Sequence, residues 1–386
     1  MRTIIYTGKG GVGKTSLSSS TALASAERGH KTLVMSTDSA HSLGDSLETP
    51  LTADPTLITK NLYAQEVDIL TEMERNWKDI YAYFTTFLQS QGVEEITAKE
   101  FVVLPGMDMM AALLLLEHYK KTSEYEVVVM DTAPTADTVR LLSFPDALRW
   151  YFDRFFKMQK RMAKVARPTV GKMMKTPLPS DNFFEAIDRL YQRSLTVREL
   201  LSDGKNTTVR LVVNPQKMVI SETQRAYTYL CLFGVPIELL VVNNVFPAAS
   251  GEGYFQGVIS EQEKNLDSIH EAFGDLPIYS CPRYPHEVLG KEKLLKLASD
   301  VFGDKDPAQV FAATQPVKFF TRGGKKFLTI ELPFATTEKM EVLLRENTLH
   351  VRVGWHKRTI LLPYSFVGTE LGEARYANDK LTVRFD

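Results

Sequence analysis

Short continuous apolar runs alternate with longer helical stretches over the first three hundred or so residues of the chain. The runs Thr3 to Tyr6, Thr32 to Ser36, Val127 to Asp131, Val209 to Asn214 and Glu238 to Val245 lack polar alternation, which suits strands buried on both faces. Between them, Ser16 to Arg28, Asp68 to Gln89, Ala111 to Lys121, Phe183 to Leu201 and Ser221 to Phe233 have helical character. This rhythm predicts an α/β domain, a mostly parallel sheet with helices on both faces. The stretch from Leu141 to Leu201 offers no strand candidate, and predicts a helical subdomain built from about 68–121 and 141–201. Asp306-Pro307 and Gln315-Pro316 mark a linker over 306–316, which separates a domain of 1–305 from a module of 317–386. In that module Lys326 to Leu332, Thr348 to Val353, Thr359 to Leu362 and Lys380 to Phe385 read as strands divided by turn-like Gly323-Gly324, Glu346-Asn347 and Asn378-Asp379, so it is expected to be a small all-β sandwich.

Composition narrows the function classes. With 46 Lys+Arg against 47 Asp+Glu the formal net charge is -1, which argues against a globally basic nucleic-acid binder. Cys231 and Cys281 have no CxxC partners, so neither a disulfide framework nor a cysteine zinc site is expected, and a reducing compartment is the simplest setting. The start of the chain has no signal-peptide pattern, and no apolar run reaches the roughly 18 to 20 residues of a membrane span. The longest apolar run, Met109 to Leu116, reads as a buried helix segment.

The candidate chemistry begins directly after the first strand. Gly8-Lys9-Gly10-Gly11-Val12-Gly13-Lys14-Thr15 satisfies G-x-x-x-x-G-K-[ST], between a strand and a helix beginning near Ser16. Glycines let the backbone wrap phosphates with N–H groups pointing inward, and the helix N-terminus adds partial positive charge. Lys14 would reach the β/γ-phosphates of ATP, and the Thr15 hydroxyl would bind Mg²⁺. Asp38 and Asp131 each end a predicted parallel strand, at the edge where open α/β sheets bind ligands. Asp131 fits a Mg²⁺-holding role and Asp38 the positioning of an attacking water; each could instead cap a helix.

Lys9, the extra lysine after the first glycine, resembles the deviant form of this loop found in the ArsA, MinD, ParA and nitrogenase-iron-protein superfamily. The resemblance implies a homodimer in which this lysine reaches the partner's nucleotide, the role of an arginine finger. Asp38-Ser39-Ala40-His41-Ser42 and the segment Asp131 to Arg140 resemble the two switch regions of the ArsA-type family, and the likeness extends over about residues 1 to 300. That family contains the arsenite-pump ATPase and the factor that targets tail-anchored membrane proteins. By the same resemblance Glu222 lies on a helix whose acidic residue faces the nucleotide, Asn243 bonds adenine, and Pro282 begins the adenine-side loop.

The departures from that pattern are informative as well. Two scattered cysteines cannot form a metalloid-sensing thiolate cluster, and the intersubunit CxxC pair of eukaryotic targeting factors is missing. A bacterial and plastid branch is similar in both respects and adds a C-terminal module like the α-crystallin domain of small heat-shock proteins. Glu346 to Val353, Leu361-Leu362-Pro363 and Asn378 to Val383 resemble that module. The setting implied is bacterial cytoplasm or plastid stroma.

Residues 149 to 175 hold nine basic residues, one acid and many aromatic and methionine side chains. Phe155, Phe156, Met158 and Met162, with a second cluster of Met107, Met109 and Met110, are candidates either for a core or for an adaptable apolar groove. Taken with the resemblance, they give a dimeric Mg²⁺-dependent ATPase whose nucleotide state controls capture of hydrophobic transmembrane helices, with room for a membrane receptor. The alternatives are a nucleotide-independent holdase acting through the β-module and, disfavoured by the cysteines, a metalloid-stimulated ATPase.

Overall fold

The computed structural model of the chain describes residues 1–37, 42–95, 97, 107–133, 156, 179–248, 253 and 255–386. Asp38, Phe155, Met158 and Met162 lie outside the described residues, as does the rest of the basic stretch 149–175 apart from Phe156.

The strands β1 (Arg2–Gly8), β2 (Thr32–Ser36), β3 (Thr56–Thr59), β4 (Leu62–Glu66), β5 (Val127–Asp131), β6 (Thr207–Val213), β7 (Ile237–Val245) and β8 (Ile278–Pro282) form one sheet. Their order is β3-β4-β2-β5-β1-β6-β7-β8. All neighbours are parallel except the β3–β4 pair at one edge. The central strands β2, β5 and β6 are buried along their whole length, as runs without polar alternation suit strands covered on both faces. Helices α1 (Lys14–Glu27), α2 (Ser42–Leu47), α3 (Ile69–Asn76), α4 (Lys78–Ser90), α5 (Met107–Thr122), α6 (Asp181–Ser202), α7 (Lys217–Phe233), α8 (Phe255–Phe273) and α9 (Gly290–Phe302) connect and flank them. No described helix is long and apolar enough to cross a membrane.

Several elements differ from expectation. The helix predicted over Asp68 to Gln89 breaks at Trp77, whose φ of -127° and ψ of 23° end α3 and precede α4, with the indole anchored in the core. Helices α2, α8 and α9 and strands β3, β4 and β8 are additional to the predicted set. Met109 and Met110, candidates for an open groove, are 4% and 8% exposed and belong to the main core, with Met107 packed against it. Phe156 is likewise buried, in a small cluster with Phe183 and Phe184. In this conformation these thioethers and this ring fill a core.

The C-terminal region is a sandwich of two antiparallel sheets. One has the order β14-β15-β10-β9 and the other β11-β12-β13, where β9 is Val317–Arg322, β10 Lys325–Glu331, β11 Met340–Arg345, β12 Thr348–Val353, β13 His356–Leu361, β14 Leu371–Ala377 and β15 Lys380–Phe385. Period-two patterning sets the faces. Leu381, Val383 and Phe385 of β15 meet Leu349, Val351 and Val353 of β12 in one apolar core. Strands β9, β11 and β14, all at sheet edges, were not among the predicted runs.

Candidate functional site

Strand β1 lies between β5 and β6, so the chain leaves it to build the two halves of the sheet in opposite directions. The crevice beyond the carboxyl end of such a strand is where open α/β sheets take ligands, and the glycine-rich loop starts there. A side chain at Gly8 would collide with the Val212 carbonyl of β6, so glycine lets the two strand ends close up. Gly13 has φ 95° and stands at the N-cap of α1. Any Cβ there would strike the amide of Asn243, whose Nδ2 donates to the Val12 carbonyl at 2.7 Å. Thus Asn243, reaching from β7, braces the loop from below. Its replacement by alanine is expected to weaken ATP binding up to about tenfold, the equivalent of one lost hydrogen bond; titration with a fluorescent ATP analogue would check this, and unchanged affinity would count against a bracing role.

Lys14 is only 8% exposed, and its Nζ donates to the Lys9 carbonyl at 3.2 Å, so the ammonium is folded beneath its own loop. Helix α1 brings its positive end to the same point. The helix is rich in small polar residues, and Ser18, Ser20 and Ser25 return their hydroxyls to carbonyls three or four residues back. That back-bonding satisfies the buried hydroxyls of Ser18, Ser20 and Ser25, and the Thr21 hydroxyl pairs with that of Tyr6 at 2.7 Å, with little bulk between helix and sheet.

Across the crevice, Thr15 Oγ1 donates to Asp131 Oδ2 at 2.6 Å. Asp131 ends β5 and is 1% exposed. Two hard oxygen donors so placed suit a small divalent cation. Thr37, which no sequence signal singled out, ties the neighbouring strand ends together. Its backbone N–H donates to the Asp131 carbonyl at 3.0 Å, and its hydroxyl accepts from the Ala133 N–H at 3.1 Å. Thr37 directly precedes Asp38 in the sequence. Thr132 adds a hydrogen bond from its hydroxyl to the Tyr6 carbonyl at 2.7 Å.

Lys9 Nζ lies 3.8 Å from Glu222 Oε2 on α7, both side chains about one-third exposed. The sequence-predicted Lys9, Lys14, Thr15, Asp131, Glu222 and Asn243 therefore converge on the loop. Ser16 continues α1. Pro282 stands at the end of β8 and lines a neighbouring cavity of about 410 Å³ with Val245, Phe246, Pro247, Ile259 and Leu266. There the Arg283 guanidinium lies 5.1 Å from the Phe246 ring centroid, and Gln262 bonds both the N–H and the carbonyl of Phe246 at 2.8 and 3.0 Å. Neither contact had a sequence signal, since each joins residues from separate elements.

Comparison with known proteins agrees with this architecture. Residues 1–303 match the model of the ArsA family, described as an anion-transporting ATPase, and residues 323–385 match an HSP20-like domain found in ArsA. The chain is 38% identical over 389 residues to a putative arsenical pump-driving ATPase of Prosthecochloris vibrioformis, covering 100% of this chain and 96% of that one. It is 35% identical over 393 residues to putative arsenical pump-driving ATPase 1 of Aquifex aeolicus, covering 99% of each. To the protein called ATPase GET3B of Arabidopsis thaliana it is 30% identical over 309 residues, covering 73% of this chain and 74% of that one. With its phosphate loop, parallel sheet and appended β-sandwich, the chain belongs to the ArsA family of ATPases and carries that family's HSP20-like C-terminal domain.

Proposed function

We propose that the chain is a homodimeric, Mg²⁺-dependent ATPase that captures hydrophobic helices of membrane-protein clients and that nucleotide state governs the capture. The observation that carries the client half is α4. Its Ile80, Tyr83, Phe84, Phe87 and Leu88 recur at i, i+3, i+4, i+7 and i+8, an apolar stripe; Ile80, Tyr83 and Leu88 are partly buried against neighbouring cores, Phe87 is half-buried, and Phe84 is 41% exposed. Such a stripe beside the aromatic cluster of α6 suits an apolar helix laid in a groove.

In this reading Lys14 holds the β/γ-phosphates of ATP, and the loop N–H groups orient them. Thr15 and Asp131 hold Mg²⁺, which when bound supplies charge neutralisation at the phosphate oxygens. Asp38 orients the attacking water. Asn243 and the β8 end near Pro282 border the base. Lys9 leaves Glu222 to reach the partner's nucleotide, where a cation stabilises charge on the transferred phosphoryl group. A metalloid-driven cycle has less support. Burial pushes the Cys281 thiol up to about 12 and raises Cys231 well above its usual range, so neither offers a thiolate at neutral pH.

Light scattering with a synthetic apolar helix, in the absence of nucleotide and with MgADP or MgATP, tests the reading. Dimerisation and capture that differ between nucleotide states are expected; capture indifferent to nucleotide would favour a passive holdase. Phe84→Ser is expected to weaken capture about tenfold or more, the value of one large buried side chain, with hydrolysis retained. Undiminished capture would remove α4 from the groove.

A further inference from the structure

The β-sandwich is joined to the nucleotide site by one helix. Leu232, near the C-terminal end of α7, is fully buried and belongs to the sandwich core rather than to the core of the ATPase domain. Four contacts surround it. Arg358 of β13, 5% exposed, donates from Nη1 to the Leu232 carbonyl. Its guanidinium also lies against Gly234, the left-handed C-cap of α7, where a Cβ would come within 3.1 Å of Nη1. Thr228 donates to the Pro333 carbonyl, and the Tyr229 ring lies on His356 with centroids 3.8 Å apart. Directly before Thr228, Tyr227 stacks on Phe273 and meets Phe334.

The other end of the same helix carries Glu222, which faces Lys9 of the phosphate loop. Glu222 and Leu232 are ten residues apart, about 15 Å along an unbroken α-helix. A helix transmits axial shift and rotation with little loss, since its hydrogen-bond ladder resists both. The sandwich grips the last two turns of α7 through its own core and a buried guanidinium, so it fixes where the first turns present Glu222.

We propose that the β-sandwich is a positioning element of the ATPase site: Arg358, through α7, sets Glu222 against Lys9. The module then tunes hydrolysis without touching nucleotide, and Arg358 is a positioning residue. This rests on the reading of Lys9 and Glu222 as parts of the nucleotide site.

A double-mutant cycle on the full chain tests it. Arg358→Met keeps an unbranched apolar stem and removes the hydrogen bond made by Nη1; Arg358→Lys keeps a donor. Arg358→Met is expected to change kcat for MgATP about two- to fivefold, the span of a partly exposed ion pair. In a Glu222→Gln background the same substitution is expected to change kcat by much less, and Arg358→Lys to lie closer to wild type. A merely structural role lowers the folded fraction and scales kcat equally in both backgrounds, so equal effects, or none, would overturn the proposal. Amide hydrogen exchange of the nucleotide-free protein supplies a second readout. Arg358→Met is expected to raise exchange at residues 9–15 and 217–222, whereas a rise confined to the sandwich and the end of α7 would refute the coupling. Should the wild type fail to hydrolyse ATP, the site reading falls, and the exchange measurement still decides the coupling.

Discussion

Replacing Lys14 with alanine is expected to reduce ATP hydrolysis by at least about a hundredfold and to leave the fold intact. The magnitude follows from charge stabilisation: removing one preorganised donor from a site where negative charge develops costs about 10²–10³ in rate. The retained fold follows from the contacts. Lys14 Nζ makes a hydrogen bond to the carbonyl of Lys9 in its own loop, and the loop geometry is set by Gly8, Gly13 and the Asn243 brace. Phosphate release measured beside a thermal melt checks both halves. Hydrolysis at the wild-type rate would refute the assignment of this loop, whatever the melt showed.

The largest stability effect is expected far from that loop, at Glu238. This carboxylate is completely buried in β7 and accepts from Arg2 at 2.6 Å, Arg210 at 2.8 Å and the Phe311 N–H at 3.1 Å. Arg210 is itself fully buried. It also donates to Tyr6 Oη at 3.2 Å and to the Pro307 carbonyl at 2.6 Å, while its guanidinium lies 5.3 and 5.1 Å from the ring centroids of Phe302 and Phe311. One carboxylate thus links β1, β6, β7 and the segment after α9. In Glu238→Ala two guanidiniums lose their shared counter-charge in a dry setting, and breaking a buried pair in this way costs about 3–5 kcal/mol. Glu238→Gln keeps an acceptor and is expected to fall between the variant and wild type. Urea unfolding measures the loss. A midpoint unchanged in Glu238→Ala would mean that water reaches the two arginines. The exposed pair Arg75–Asp54, bidentate at 2.6 and 3.0 Å, is the contrasting control: solvent screens it, and its removal is expected to be hard to detect.

How much of this was legible in the sequence depends on how far apart the interacting residues lie. The phosphate loop is contiguous, and each of its residues is needed by chemistry local to one turn, so Gly8 to Thr15 could be placed without coordinates. Strands β2, β5 and β6 announce themselves because burial on both faces leaves short, mostly apolar runs without polar alternation, Arg210 of β6 being the exception. The inward residues of β15 follow from alternation alone. Helix α9 was equally legible, since Leu294, Leu297, Ala298, Val301 and Phe302 keep the helical period, yet it was not among the predicted elements. Strand β3, half exposed and only four residues long, gives almost no signal by any rule.

The sequence alone determined the type of each strongly periodic element, the phosphate loop with its added lysine, and the all-β character of the tail, because these depend on neighbours within a few residues. The tertiary structure alone decided that Asn243 braces Val12, that Arg210 is buried with Glu238, that Met109 and Met110 fill a core, and that Leu232 packs with the sandwich. A charge can be buried only where a distant partner neutralises it, and an apolar face is core or surface according to what lies opposite. Local pattern carries neither fact, since both are properties of pairs brought together by the fold.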